Sequence, residues 1–281
     1  MKLLDRAVRK AVPSLAKLSH SRLAMLPADS LSYLANAPFE ELRSLPPNRL
    51  RVRVGVGNRI VTNGLITRYG YQNFWYYIFA TGAARLDSNV LDVGSGVGCS
   101  AVLLREFNHC NTRFTGHYTG IDADREMVDW CRANYPAEHF TFEWANVYNK
   151  VYNPTGQKGD YRFPLADGSQ DLVYSHSLFT HLLEDDVQNY LRQTYRVLRP
   201  GGQMLHSFFV LDHLTEFGQL GGRWTFRHAV GNARVENTQF PEAATGYTEQ
   251  WLSDTATACG FERVRFLKDP KNGQSVLHCT R

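Results

Sequence analysis

An apolar run, Val90-Leu91-Asp92-Val93, passes directly into Gly94-Ser95-Gly96-Val97-Gly98, and this join constrains the fold more than any other feature of the chain. Glycine at alternate positions lets the backbone turn through conformations closed to other residues. It also leaves no side chains between the backbone and a ligand, so the loop can hold a nucleoside-like group before the next helix begins. Two familiar ligands are disfavoured by the spacing. A dinucleotide loop needs glycine or alanine where Cys99 stands, and there is no Gly-Lys-Ser or Gly-Lys-Thr ending for a nucleoside triphosphate. A second short strand, Tyr118 to Asp122, also ends on an acid, and a carboxylate there can accept hydrogen bonds from the two hydroxyls of a ribose. The competing reading of Asp122 is a surface aspartate at a strand end.

From these residues the chain resembles the class I S-adenosylmethionine-dependent methyltransferases. The first motif is Leu91-Asp92-Val93-Gly94-Ser95-Gly96-Val97-Gly98 and the second Gly120-Ile121-Asp122. Phe140 to Val147 resembles the third strand, Phe163 to Ser175 the approach to the fourth, and Arg199-Pro200-Gly201-Gly202 the turn before the fifth. The resemblance implies an α/β fold, a Rossmann-like doubly wound seven-stranded sheet that is mostly parallel with an antiparallel last strand. It implies S-adenosyl-L-methionine as cofactor, bound by Asp92, Gly94, Ser95, Gly96, Gly98, Asp122, Ala123, Asn146, Val147 and Ser175. Tyr69 to Phe79 is an aromatic stretch with helical spacing, and its leading tyrosines, Tyr69 and Tyr71, are further candidates for the cofactor's methionine end. The alternative for these aromatics is core packing.

The expected organisation is an N-terminal helical extension or lid over 1–85 and a cofactor-binding methyltransferase domain over 86–281. Charge divides along the same line. Residues 1 to 86 carry 13 Lys/Arg against 4 Asp/Glu, and the remainder 18 against 23. Five cysteines without a Cys-x-x-Cys pair read as reduced thiols of a cytoplasmic protein. No apolar run approaches the ~18 residues that a membrane helix needs.

Alternating apolar strands and amphipathic stretches follow from Val90. The clearest helix covers about 184 to 198, where Glu184, Asp185 and Asp186 suit the positive end of the helix dipole better than a metal ion, because consecutive positions point in different directions. A helix from about 249 to 259, capped by Thr248, precedes two closing strands, 261 to 267 and 275 to 280, read as an antiparallel hairpin. Between the fifth strand and this helix lies an insertion, 211–247, too long for a plain connection and assigned to substrate binding.

Methyl transfer from a sulfonium requires an aligned nucleophile and, for a hydroxyl, removal of a proton. Ligands of parallel sheets sit at the carboxyl ends of the strands, so a base is sought just after the fourth strand. There the chain reads Ser175-His176-Ser177-Leu178-Phe179-Thr180-His181, with His176 the first candidate base and His181 the second. His206 reads as a satisfied interior histidine, and no residue set has metal-ligand spacing. The Asn/Asp-Pro-Pro-Tyr motif of base-nitrogen methylation and a Pro-Cys nucleophile are absent. The expected acceptor is a hydroxyl of a sugar, glycolipid or other small metabolite. Two other readings stay open: an RNA or protein methyltransferase docking through the basic front, although no nucleic-acid-binding module is present, and a non-catalytic cofactor-binding protein. Residues 1 to 25 form a basic amphipathic segment, read as a lid or as a peripheral membrane contact. The oligomeric state is not legible.

Overall fold

The computed structural model describes residues 18–54, 70–149, 153–157, 159–271 and 273–281. Most of the basic segment 1 to 25, and Tyr69, therefore lie outside the described residues. Backbone contacts divide the chain into two compact units, 1–78 with 95–114 and 120–158, and 79–94 with 115–119 and 159–281. Each is made of segments distant in sequence, so the units do not follow the boundary expected at residue 85.

The strands are β1 (Asn89–Val93), β2 (His117–Asp122), β3 (Phe140–Trp144), β4 (Gln170–Ser175), β5 (Leu198–Val210), β6 (His228–Val230), β7 (Ala233–Val235), β8 (Thr245–Tyr247), β9 (Glu262–Asp269) and β10 (Gln274–Thr280). Their order is β3-β2-β1-β4-β5, with β10 and then β9 on the far edge of β5. β1 pairs parallel with β4, and β4 parallel with β5. β10 runs antiparallel to both of its neighbours, as the short connection after β9 requires. This is the expected set of seven.

The sheet has ten strands because the insertion adds three. β10 covers β5 from Gln203 to Phe208, and β8 then takes over the last two residues, pairing Gly246 with Phe209 and Tyr247 with Val210 in parallel. β7 and β6 continue outward from β8 as an antiparallel hairpin. The insertion opens with a short helix at Leu211–Glu216, and its apolar residues Phe226 and Ala244 join Phe209 and Leu214 in a buried cluster bordered by Leu220 and Trp224. An alternating pattern is hard to see in three-residue strands, which is why this segment read as an insertion without strands of its own.

The helices are α1 (Arg22–Asn36), α2 (Asn48–Arg51), α3 (Gln72–Thr81), α4 (Ala101–Glu106), α5 (Arg125–Asn134), α6 (Glu184–Val197), α7 (Leu211–Glu216) and α8 (Glu249–Ala258). α6 buries Val187, Tyr190, Leu191 and Thr194 on one face. Its three acids occupy the first turn, where Glu184 also accepts from the backbone and side-chain amides of Asn232. α8 starts at Thr248, whose hydroxyl accepts from the Trp251 amide at 3.2 Å.

Candidate functional site

The glycine loop is held from beneath by Asp122. Its Oδ2 accepts from the Gly96 amide at 2.7 Å and its Oδ1 from the Asp124 amide at 2.8 Å, so the carboxylate expected to face a ribose also fixes the turn that would carry the cofactor. Gly94, Gly96 and Gly98 all have left-handed backbones, with φ of 82°, 55° and 72°. A Cβ added at Gly96 would stand 3.1 Å from Val54, and one added at Gly98 2.8 Å from the Tyr135 hydroxyl. Steric room and backbone conformation both demand glycine there.

Neighbouring backbone completes this half. Ala145 donates its amide to the Asp122 carbonyl at 2.9 Å, which ties the end of β3 to the end of β2. Asn146 and Val147 follow, the first bonded to the Asn153 amide at 3.1 Å and the second bridged to Gln157. The Ala123 carbonyl accepts from the Trp144 indole at 3.0 Å. Tyr71 packs against Leu50, Val97, Cys99 and Met127, beside the loop. The Ser95 hydroxyl is buried without a hydrogen-bond partner, and so is the hydroxyl of Ser175 in the other unit. A buried hydroxyl left unbonded is costly, and these two are available to a polar ligand. Left-handed glycines, a carboxylate fixing the loop from beneath and the unbonded Ser95 hydroxyl fit a nucleoside-bearing cofactor such as S-adenosyl-L-methionine.

Asp92 departs from its expected role. It is 4% exposed, and its Oδ2 accepts from the hydroxyls of Tyr118 at 2.6 Å and Tyr174 at 3.0 Å. Those bonds join three adjacent strands, so this acid is committed to the sheet. Its position next to the glycine loop in sequence gave no sign of the two tyrosines.

Two arginines of the basic front segment are spent internally. The Arg53 guanidinium, 2% exposed, meets Asp124 at 2.8 Å and Glu126 at 2.7 Å, and Arg49 meets Asp29 at 3.1 Å and Glu126 at 2.8 Å. Burial alone would raise the Glu126 carboxyl, but the hydrogen bonds and charges of Arg49 and Arg53 outweigh it and bring it down to about 2. Asp124 caps α5 through the amides of Glu126 and Met127. These arginines hold the helix that follows Asp122, which removes them from the set available to nucleic-acid phosphates.

After β4 the chain turns sharply. Ser177 has a φ of 57°, a strained conformation for a residue with a side chain, held by its amide donating to the Ser207 hydroxyl at 2.7 Å. The Ser177 hydroxyl bonds Gln274 Oε1 at 3.0 Å, and Gln274 lies across the β9–β10 hairpin from Asp269. Leu178 packs on Gly94, with a Cβ built on that glycine only 3.2 Å from the Leu178 Cβ. The strained turn thus presents His176 and Ser177 within the strand neighbourhood where the glycine loop begins.

His176 is half-buried, and the largest influence on it is burial, which lowers its pKa to about 4 against the opposing pull of the Asp269 carboxylate. It is held neutral at physiological pH. His181 ends a short 3-10 turn, and its Nδ1 donates to the Glu242 carbonyl at 2.8 Å, the backbone-bonded alternative of the two that the sequence allowed. His206 is fully buried, stacked on Phe179 and bonded through Nε2 to the Thr194 hydroxyl at 3.0 Å, while its Nδ1 is buried without a hydrogen-bond partner, so the interior histidine expected to be satisfied is satisfied at one ring nitrogen alone.

A polar group that sequence reasoning missed links the insertion to the rest of its unit. His213 bonds the Ser275 hydroxyl at 2.8 Å and Glu249 at 2.6 Å, with Asp212 accepting from the Glu249 amide at 2.7 Å. Ser275 is 1% exposed, so this serine, histidine and carboxylate brace α7, α8 and β10 and do not present a nucleophile.

A family model described as a methyltransferase domain matches residues 91–206. The arsenite methyltransferase of Aquipseudomonas alcaligenes is 34% identical over 125 residues, 44% of this chain and 33% of that protein. The malonyl-[acyl-carrier protein] O-methyltransferase of Serratia marcescens is 26% identical over 207 residues, 72% of this chain and 69% of that protein. This chain spans about a third of the length of the arsenite methyltransferases it matches. A solved S-adenosylmethionine-dependent methyltransferase from Methanosarcina mazei is 18% identical, covering 72% of this chain and 96% of its own, with a TM-score of 0.49.

Proposed function

We propose, since residues 91–206 match a methyltransferase domain, that this chain is a class I S-adenosylmethionine-dependent methyltransferase, an enzyme methylating a hydroxyl of a sugar, glycolipid or other small metabolite. The observation that carries the reading is the turn after β4. A strained serine there holds a neutral histidine beside the start of the glycine loop. The bound cofactor supplies an electrophilic methyl on a positively charged sulfur with a neutral leaving group. The chain's own contribution is then positioning and proton management.

In this reading the amides around Gly94, Gly96 and Gly98, the Ser95 hydroxyl and the Asp122 carboxylate bind the nucleoside part, with Asn146, Val147 and Ala123 at its base end and Ser175 and Tyr71 near its methionine end. His176 accepts the proton of the acceptor hydroxyl as that oxygen attacks. A histidine with a depressed pKa is a weak base, but it is almost wholly unprotonated at neutral pH. Ser177 and Gln274 orient the acceptor. His181, bonded through Nδ1 to the Glu242 carbonyl, is the second base candidate.

The family relatives leave the acceptor open between small molecules and carrier-bound acids. An acceptor library with isotopically labelled cofactor, followed by mass analysis, tests the reading. Label on a hydroxyl supports it, whereas label only on a carboxylate, a thiol, arsenite or nucleic acid overturns it. The docking alternative through RNA loses its support with Arg49 and Arg53 engaged in ion pairs.

A further inference from the structure

The outer side of α1 is apolar and uncovered. Leu23 is 86% exposed, Leu26 59%, Leu31 62%, Tyr33 67% and Leu34 67%, and at helical spacing these five side chains span an arc of about 160°. The opposite side is the one that holds the helix in place. Met25 and Ser32 are buried, Ser32 accepts from Arg51, and Asp29 accepts from the Arg49 amide at 2.7 Å and its guanidinium at 3.1 Å. Isolated exposed leucines are ordinary on a protein surface. Four on one face of one helix, with a tyrosine beside them, form a patch that water does not favour.

Charge selects the occupant. Asp29 is the only acid in α1, and it is turned inward and neutralised by Arg49, so no carboxylate of the helix stands on the apolar face. The 21 residues before it carry five Lys/Arg, Lys2, Arg6, Arg9, Lys10 and Lys17, against one acid, Asp5. Glu40 and Glu41 follow the other end of the helix. An apolar face adjoining a basic run in sequence is the composition that binds an anionic lipid surface, by burying side chains at the headgroup boundary and attracting its charge. A second protein surface would satisfy the leucines but would give no role to the basic run.

We propose that the outer face of α1 docks this protein onto an anionic membrane surface, with α1 lying in the interfacial plane and its Asp29 face fastened to the cofactor-binding unit. The inference is independent of which acceptor is methylated.

The test is cosedimentation of the full chain with vesicles of mixed phosphatidylglycerol and phosphatidylcholine, and of phosphatidylcholine alone, compared with the double variants Leu23→Ser/Leu34→Ser and Leu26→Ser/Leu31→Ser. Cofactor affinity and circular dichroism serve as controls for folding. Partition onto the anionic vesicles should exceed that onto neutral ones and fall roughly tenfold or more for each leucine pair, with both controls unchanged. Absence of binding to the anionic vesicles, or equal binding by wild type and both variants, overturns the proposal. So does a dimer in sedimentation equilibrium that the variants dissociate, since the face would then belong to a second copy. Binding that emerges only after residues 1 to 17 are deleted also overturns it, because the chain's own leading segment would be the occupant.

Discussion

The loops after β1 and β4 leave adjacent parallel strands, yet they are built on opposite principles. The first works with its backbone, through glycine amides, left-handed turns and one acid beneath. The second works with side chains, where a strained serine carries a neutral histidine and is locked to Ser207 and Gln274. A backbone device leaves a compact trace in sequence because only glycine satisfies it. A side-chain device is assembled from residues nearly a hundred positions apart, as Ser177 and Gln274 are, and each alone is unremarkable.

The contrast can be broken most severely at Gly96. Gly96→Val must force a branched residue into a left-handed backbone 3.1 Å from Val54, and calorimetry should show cofactor binding abolished. His176→Ala should do the reverse, lowering kcat by about 10²- to 10⁴-fold while cofactor affinity stays within a few-fold. If both variants lose cofactor equally, the division of labour between the loops fails. Since His176 acts unprotonated and its pKa is lowered to about 4, kcat should stay level from neutral pH down to about pH 5 and fall only below it. Decline already at pH 6.5 would mark an unshifted histidine or another base. Asp122→Ala removes an acceptor from both the ligand and the Gly96 amide and should weaken cofactor binding by about 10- to 150-fold.

Stability sharpens the comparison between the units that contain these loops. His206 and His278 are buried in one unit, their pKa values lowered by burial to about 3 and about 4, the second also by Arg265. Their contribution is intact above the unfolded value of 6.5 and is lost as pH falls toward those folded values, by up to about 1.4 kcal/mol per pH unit for each. Glu126, in the other unit, is lowered to about 2, so its contribution is intact above 4.5 and lost only as pH falls from there toward 2. Hydrogen exchange between pH 6.5 and 4.5 should show the histidine-bearing unit loosening first. The smallest effect expected is at Tyr71, where Tyr71→Phe should raise the cofactor dissociation constant no more than a few-fold, because its ring packing beside Val97 and Cys99 survives. An unchanged constant would make it a core residue.

The sequence carried the seven strands of the core, the acidic first turn of α6, the cap of α8 and the closing hairpin, because these depend on local periodicity and turn chemistry. It missed the tyrosine clamp on Asp92, the brace at His213 and the arginine pairs on Asp124 and Glu126, each of which joins residues far apart in the chain. Net charge misled for a physical reason: a count of basic residues does not distinguish arginines facing solvent from those, like Arg53, that are sealed against carboxylates. The insertion was recognised by its length but not by its structure, since three-residue strands have no readable alternation.

The edge of β5 is shared between two tenants, β10 from Gln203 to Phe208 and β8 over its last two residues. Within the sheet, the segment 211 to 247 is paired with β5 at two positions, Gly246 with Phe209 and Tyr247 with Val210, and the His213 and Asn232 hydrogen bonds brace it from outside the sheet. A replacement segment of different length and chemistry that reproduces this single splice, with α7 entering and α8 leaving as they do here, would inherit the sheet's alignment without altering the glycine loop. Variation in what such an enzyme accepts can then accumulate on one side of a two-residue seam.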